Sequence, residues 1–175
     1  MLGETNAHLT SMPHIRAWRS TTSNYAIYPA GTTARMRLDH VEQHGCTNET
    51  VTDDGNESTF VYQSDQYNVY ANGGNSYIRV KQNGLYLITG HAALNPYNMV
   101  NRTAYIIIYY NNGEYTQETP DLQSYDCGVG RLTVQATVTK YLLAGTDIFC
   151  NMSSDNTGED ILSTAYTALE VTKLE

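Results

Sequence analysis

Apolar and polar side chains alternate with a period of two along several stretches of this chain, most cleanly in Leu132–Tyr141 (LTVQATVTKY). Leu132, Val134, Ala136 and Val138 fall on one side and Thr133, Gln135, Thr137 and Thr139 on the other, as in a strand with one face buried. Thr33–Val41 repeats the pattern, with Ala34, Met36 and Leu38 out of phase with Arg35, Arg37 and Asp39. His14–Arg19 sets Ile15 against His14 and Arg16. Two segments are apolar on both sides instead. In Thr103–Tyr110 (TAYIIIYY) three consecutive isoleucines between tyrosines favour strand over helix, because β-branched and aromatic side chains suit a pleated surface. A strand of that kind is covered on both faces. In Asn83–Leu94 (NGLYLITGHAAL) Leu85, Leu87 and, past Gly90, Ala92 read as one face, with Tyr86 and Ile88 opposite.

Turn residues divide the rest into shorter strands. Gln82-Asn83-Gly84 predicts a hairpin between Tyr77–Val80 and the strand after it, and Asn111-Asn112-Gly113 returns the chain into Glu114–Gln117. Phe60–Tyr62, Tyr67–Tyr70, Ile148–Met152 and Thr164–Thr172 complete the set, while Cys46–Ser58 is almost free of apolar residues and reads as an exposed loop. No segment holds a helical period, and there is no internal repeat, heptad run or collagen-like stretch. The pattern predicts an all-β sandwich of about eight to ten strands. Residues 1–12 lack periodicity and read as an N-terminal arm; residues 13–175 form one domain.

Three blocks, taken in order, resemble the jelly-roll family shared by complement globular heads and tumour necrosis factors. HIRAWRS followed by TARMRLDHV is similar to the family's entry strands, and SYIRVKQNGLYLITGHAAL resembles its most recognisable hairpin. LTVQATVTKYLLAGTDIFCNM resembles the late hairpin, whose Leu-x-x-Gly-Asp turn here carries an inserted Thr146. The end, TALEVTKL, is similar to the last strand, which in the family lies at the trimer axis. The resemblance implies a jelly-roll sandwich of two antiparallel sheets, assembled as a homotrimer that binds rather than catalyses. It also has departures. This chain uses Tyr, Leu and Ile where vertebrate members use Phe, and it has neither their signal peptide nor their collagen stalk. Versions of the domain in tailed-bacteriophage virion proteins and some bacterial surface proteins are more similar, being rich in Asn, Thr and Ser and poor in cysteine.

Composition narrows the partners. Charged residues make up 16%, against roughly 25% in soluble domains, and 15 tyrosines stand beside 2 phenylalanines. Tyrosine suits strands and surfaces that contact other proteins, because its ring buries while its hydroxyl stays solvated. A formal net charge of -8 with scattered Lys and Arg argues against nucleic acid. No apolar run is long enough to span a bilayer, and the polar start MLGETNAHLTSM lacks a signal-peptide layout, so synthesis in a host cytoplasm is expected. Cys46, Cys127 and Cys150 are an odd set; free thiols are expected, with a Cys127–Cys150 bridge the alternative. The sequons at Asn48, Asn56, Asn101 and Asn151 read as chance matches.

Few residues form a chemical constellation. Asp53, Asp54 and Glu57 surround Gly55 in the polar loop and make weak calcium ligands without EF-hand spacing; 155–160 is a second acidic loop. A solvated loop is the preferred reading, and no cofactor is expected. His40, His44 and Cys46 have no second cluster to complete a zinc set. His91 reads as a core or interface histidine whose burial would make it sensitive to pH. No nucleophile elbow, phosphate loop or carboxylate pair is present, so no catalytic residue is assigned.

These features point to a non-enzymatic virion structural protein: a trimeric bacteriophage capsid decoration (cement) protein or short head fibre on the capsid exterior. Tyr105, Ile107, Tyr109, Tyr166 and Leu169 are the expected trimer contacts. Met1, Leu2, Leu9 and Met12 in the arm are the expected attachment to the major capsid protein or another virion protein. One alternative is a receptor- or host-glycan-binding knob of a tail or baseplate, using Tyr97 and Tyr115. Another is a signalling or surface ligand of the same fold.

Overall fold

The computed structural model describes residues 12–19, 25–27, 33–36, 38–44, 60–63, 76–95, 102–111, 115–118, 123–125, 132–154, 159–161 and 167–175. Among them are fourteen strands and no helix: β1 (His14–Trp18), β2 (Tyr25–Ile27), β3 (Thr33–Arg35), β4 (His40–His44), β5 (Phe60–Gln63), β6 (Tyr77–Val80) and β7 (Gly84–Asn95). After them come β8 (Arg102–Asn111), β9 (Tyr115–Glu118), β10 (Gln123–Tyr125), β11 (Leu132–Leu142), β12 (Asp147–Ser154), β13 (Glu159–Ile161) and β14 (Ala168–Lys173). All pairings are antiparallel. The first sheet runs β2-β13-β7-β14-β1-β4, with β11 along the other side of β7. The second runs β10-β8-β12-β6-β5, with β3 on β12 and β9 on β8. The count exceeds the sequence expectation because β2, β3, β10 and β13 are only three residues long.

The core lies between the sheets. The first sheet contributes Ile15, Ala17, Tyr86, Ile88, Ala92, Val134, Ala136, Leu169 and Val171. The second contributes Phe60, Ile78, Val80, Ile106, Ile108, Tyr110, Ile148 and Cys150. Phe60 meets the Tyr86 ring edge-on across the gap at 6.1 Å, the arrangement the ring quadrupoles favour. Burial pushes the Tyr86 phenol up to about 12, with Tyr141 adding to it, so the hydroxyl stays protonated and donates to the Gln82 carbonyl at 2.7 Å. Gly90 is where the sheets approach most tightly. A Cβ there would lie 2.5 Å from Cys150 Sγ and 3.1 Å from Ile106 Cδ1, so only glycine lets the two strands close. Ala92 falls in phase with Tyr86 and Ile88 on this inner face, not with Leu85 and Leu87 as the sequence pattern implied.

Two of the predicted hairpins, β6–β7 and β11–β12, are corners. β6 belongs to the second sheet and β7 to the first, and the same is true in reverse of β12 and β11. Each short connection therefore carries the chain across the sandwich edge instead of pairing its flanking strands. The two corners are stitched together. Val80 N–H donates to Thr146 O at 3.0 Å, Gly145 N–H to Val80 O at 2.8 Å, and Ala144 N–H to Asn83 Oδ1 at 2.8 Å. Gly145 takes φ of 89°, a left-handed conformation that costs a side chain-bearing residue energy. Thr33–Val41 also switches sheets: β3 pairs with β12 and β4 with β1, and the residues between them pin the crossing. Leu38 N–H donates to Ser76 Oγ at 3.0 Å, and Leu38 O accepts from Ser76 Oγ and the Tyr62 hydroxyl at 2.9 and 2.8 Å. An unbroken alternation hid the switch, because Met36 and Leu38 are buried on both sides of it. β8, β9 and β11 match their sequence expectations, with Gln135, Thr137 and Thr139 exposed opposite buried Val134 and Ala136.

The Gly90 contact has a measurable consequence. We predict that Gly90→Ala lowers stability by about 1–3 kcal/mol through overpacking against Cys150. Cys150→Ala alone should also destabilise, whereas the double variant should recover about 1 kcal/mol of the summed loss because the Sγ is gone. Urea denaturation of the four proteins measures the coupling; strictly additive losses would contradict the close contact.

Candidate functional site

The sandwich has two outer faces, and they differ in how far the chain covers them itself. On the second sheet, β3, β12 and β8 lie side by side and point Arg35, Phe149 and Tyr109 outward. The Tyr109 and Phe149 rings stack at 5.2 Å and 6° apart, and the Arg35 guanidinium sits 3.6 Å from the Phe149 centroid. A cation over a ring and two stacked rings shield each other from water. Beside them Arg79 donates to both Asp147 oxygens, at 2.6 and 3.1 Å, and lies over the Tyr77 ring. Phe149 and Ile107 are each only 4% exposed although both point away from the core. This face is closed by its own side chains.

The first sheet presents three in-register rows across β4, β1, β14, β7 and β11. One reads His40, Trp18, Ala168, His91, Gln135; the next Glu42, Arg16, Glu170, Thr89, Thr137; the third His44, His14, Thr172, Leu87, Thr139. Arg16 stands between two carboxylates, 3.1 Å from Glu170 and 3.6 Å from Glu42, and its guanidinium also covers Trp18. Trp18 leans on His40, with centroids 5.6 Å apart. His14 Nδ1 meets Thr172 Oγ1 at 2.9 Å, and Thr89 and Thr137 hydroxyls meet at 3.2 Å. Arg16 offsets part of the face's negative charge on a chain of formal charge -8. Toward one end Leu85 lies opposite Tyr141, and beyond it Leu143 follows; Tyr141 and Leu143 are 61% and 52% exposed, the large apolar side chains most open to water among the described residues. The arrangement holds no nucleophile with a base and no converging metal ligands among the described residues.

No protein-family profile matches the sequence, and no curated protein does. Solved structures do match. A crystal structure of murine APRIL at pH 8.0 aligns over 93% of this chain and 99% of its own, with 12% identity and a TM-score of 0.56. Eiger TNF from S. frugiperda aligns over 94% of each chain, at 11% identity and a TM-score of 0.53. The globular domain of zebrafish complement 1qA covers 94% of this chain and 98% of its own, at 11% identity and a TM-score of 0.50. The fold is the jelly roll of tumour necrosis factors and complement heads. Identities this low carry the architecture alone.

Within that jelly roll the expected trimer contacts separate. Tyr105, Ile107 and Tyr109 lie on β8 in the second sheet, whereas Leu169 lies on β14 in the first, so they share no surface. Leu169 is wholly buried in the core and Ile107 nearly so, which leaves neither with area for a neighbour. Tyr109 is engaged in its stack with Phe149. Tyr166 lies outside the described residues, as do Met1, Leu2, Leu9, Tyr97, Asp53, Asp54 and Glu57. Met12 is half-buried where the chain enters β1, and Tyr115 begins β9 at the edge of the second sheet. Cys150 is a free thiol, pushed up to about 12 by burial and therefore unreactive as a nucleophile. The histidine, arginine and threonine rows escaped sequence reasoning because they come from five strands far apart in the chain. Their shared signal was only that polar residues in each strand occupied one phase.

The contrast between the faces can be measured. We predict that Phe149→Ala costs about 3 kcal/mol, since it removes a buried ring and uncovers Tyr109 and Arg35. Thr137→Ala on the open face should stay within about 0.5 kcal/mol. Chemical denaturation of the purified proteins at one fixed concentration gives both values; a loss at Phe149 as small as that at Thr137 would mean its face is not self-covered.

Proposed function

We propose that three copies of this chain pack through the outer face of the first sheet, and that the trimer serves as a non-enzymatic virion structural protein, decorating a capsid or forming a short head fibre. The observation that carries the assembly is the contrast between the faces. The second sheet covers its own aromatic residues, whereas the first leaves a face of partly offset charge, with exposed Tyr141 and Leu143, that eases contact with another copy. β14, similar to the strand that lies at the trimer axis in the resembled family, sits in the middle of this sheet. A trimer fits threefold positions of an icosahedral lattice, where three identical contacts form at once and reinforce one another. The Asn-, Thr- and Tyr-rich, weakly charged composition supports the virion setting.

The likeness to APRIL and Eiger TNF favours a second reading, a trimeric surface or signalling ligand. Both readings use the same assembly and differ in what the rest of the surface meets.

Light scattering on the purified chain should give the mass of three 19.5 kDa chains, unchanged on dilution. Thr137→Arg should yield a folded monomer, because three cations would be forced together in the contact. A wild-type monomer at micromolar concentration would overturn the assembly. Deleting residues 1–12 should abolish cosedimentation with undecorated capsids while the trimer survives. Binding to host cells that survives the deletion but falls with Tyr97→Ala or Tyr115→Ala would favour the receptor knob instead. Saturable binding to a cell-surface receptor, with none to capsids, would favour the ligand.

A further inference from the structure

The histidines are unevenly placed. Of the five in the chain, His14, His40 and His91 fall at outward register positions on β1, β4 and β7 of the first sheet. His40 and His91 lie in the row that contains Trp18, and His14 in the row that contains Thr172 and Leu87. We propose that the first-sheet face is an acid-labile contact between copies of this chain, held while its imidazoles are neutral and released when they take up protons. The proposal rests on the assembly argued above and specifies how it would be regulated.

The charges around each imidazole set the direction. His40 lies 3.3 Å from the Asp39 carboxylate on its own strand's entry and against Trp18 on β1, with Glu42 two residues on. His14 touches Thr172 on β14, has His44 opposite on β4 and Arg16 two residues on. His91 faces Ala168 on β14 and Gln135 on β11, with Glu170 and Thr137 in the adjoining row; on β13, Asp160 is opposite Asn95 at the far end. Tyr141 on β11 lies on the same face, opposite Leu85. Arg16 already engages both Glu42 and Glu170. With neutral imidazoles Arg16, Glu42, Glu170 and Asp39 leave each copy's face two net negative charges. Protonating His14, His40 and His91 would turn that to one net positive charge and place three cations in a contact that excludes water. A charged imidazole removed from water by a neighbouring copy is penalised, so the contact favours the neutral form.

The sign follows from linkage. A contact that excludes water disfavours a charged imidazole, so association is linked to proton release where imidazoles titrate. Assembly is then fully favoured above about 6.5, the ordinary histidine value, and is lost progressively below it. Each histidine held neutral can weaken association by up to about tenfold per pH unit below that value.

The test is the mass of the full chain by light scattering at about pH 8 and about pH 5 at one ionic strength, with circular dichroism as a check on folding. The wild type should be a trimer at the higher pH and a folded monomer at the lower. The triple variant His14→Gln, His40→Gln, His91→Gln should remain a trimer at both, since glutamine keeps a hydrogen-bonding amide but takes no proton. A wild-type trimer at both pH values would overturn the acid-labile contact and leave the assembly standing. Dissociation of the triple variant at the lower pH, matching the wild type, would likewise overturn it by assigning the effect to other groups. A monomer at both pH values would remove the assembly itself. A wild type that unfolds at the lower pH while the triple variant stays a folded trimer would still support the proposal; unfolding of both would count against it.

Discussion

The edge where two corners of the chain are hydrogen-bonded to each other governs the rest of this structure. Val80, Gly145, Thr146, Asn83 and Ala144 tie the turn before β7 to the turn before β12. Because each turn changes sheets, β7 and β11 can pair along their whole lengths in one sheet while β8 and β12 do so in the other. Polar backbone groups at such an edge would otherwise lack partners, and here each corner supplies the other's. The C-terminal residues complete the same edge: Leu85 N–H donates to Glu175 O and Leu174 N–H to Leu85 O. A side chain at Gly84 would run into the Glu175 carbonyl.

This geometry assigns different tasks to the two outer faces. Central strands of both sheets bury one phase of residues in the common core, so the other phase decides how each face meets its surroundings. On the second sheet that phase is aromatic and basic, and Arg35, Phe149 and Tyr109 cover one another. On the first it is threonine, histidine and an Arg16 bridge between two glutamates, which satisfies charge without hiding the surface. Exposed ion pairs of this type add little stability. Their effect is to offset part of the face's negative charge, which eases self-contact on an acidic chain. The proposed trimer and its acid sensitivity both follow from that distribution.

Much of the architecture is legible in the sequence because strand faces have a strict period. Gln135, Thr137 and Thr139 opposite Val134 and Ala136 identify a half-buried strand, and Ile106, Ile107 and Ile108 in succession identify one covered twice. Pairing is not legible in the same way. Asn83-Gly84 and Gly145-Thr146 are turn residues whether the flanking strands form a hairpin or a corner, and only the long-range partners distinguish the two. The break between β3 and β4 was concealed for a related reason, since Met36 and Leu38 keep the period while the chain changes sheets. Site prediction faltered where apolar character was taken as a sign of contact. Leu169 alternates with Glu170 and is in phase with Val171, which marks it as a core residue. The histidine rows needed the register of five strands before they became visible.

The central claim is that copies meet through the first sheet and leave the second facing outward. The most direct measurement is an experimental structure of the assembled protein by crystallography or electron cryomicroscopy. The account predicts three copies around β14 and β7, with Arg16, Trp18, His91 and Thr137 within the contact and the Phe149–Tyr109 stack facing solvent. An assembly built through the Phe149 face, or one that leaves Arg16 and Thr137 in solvent, would contradict it.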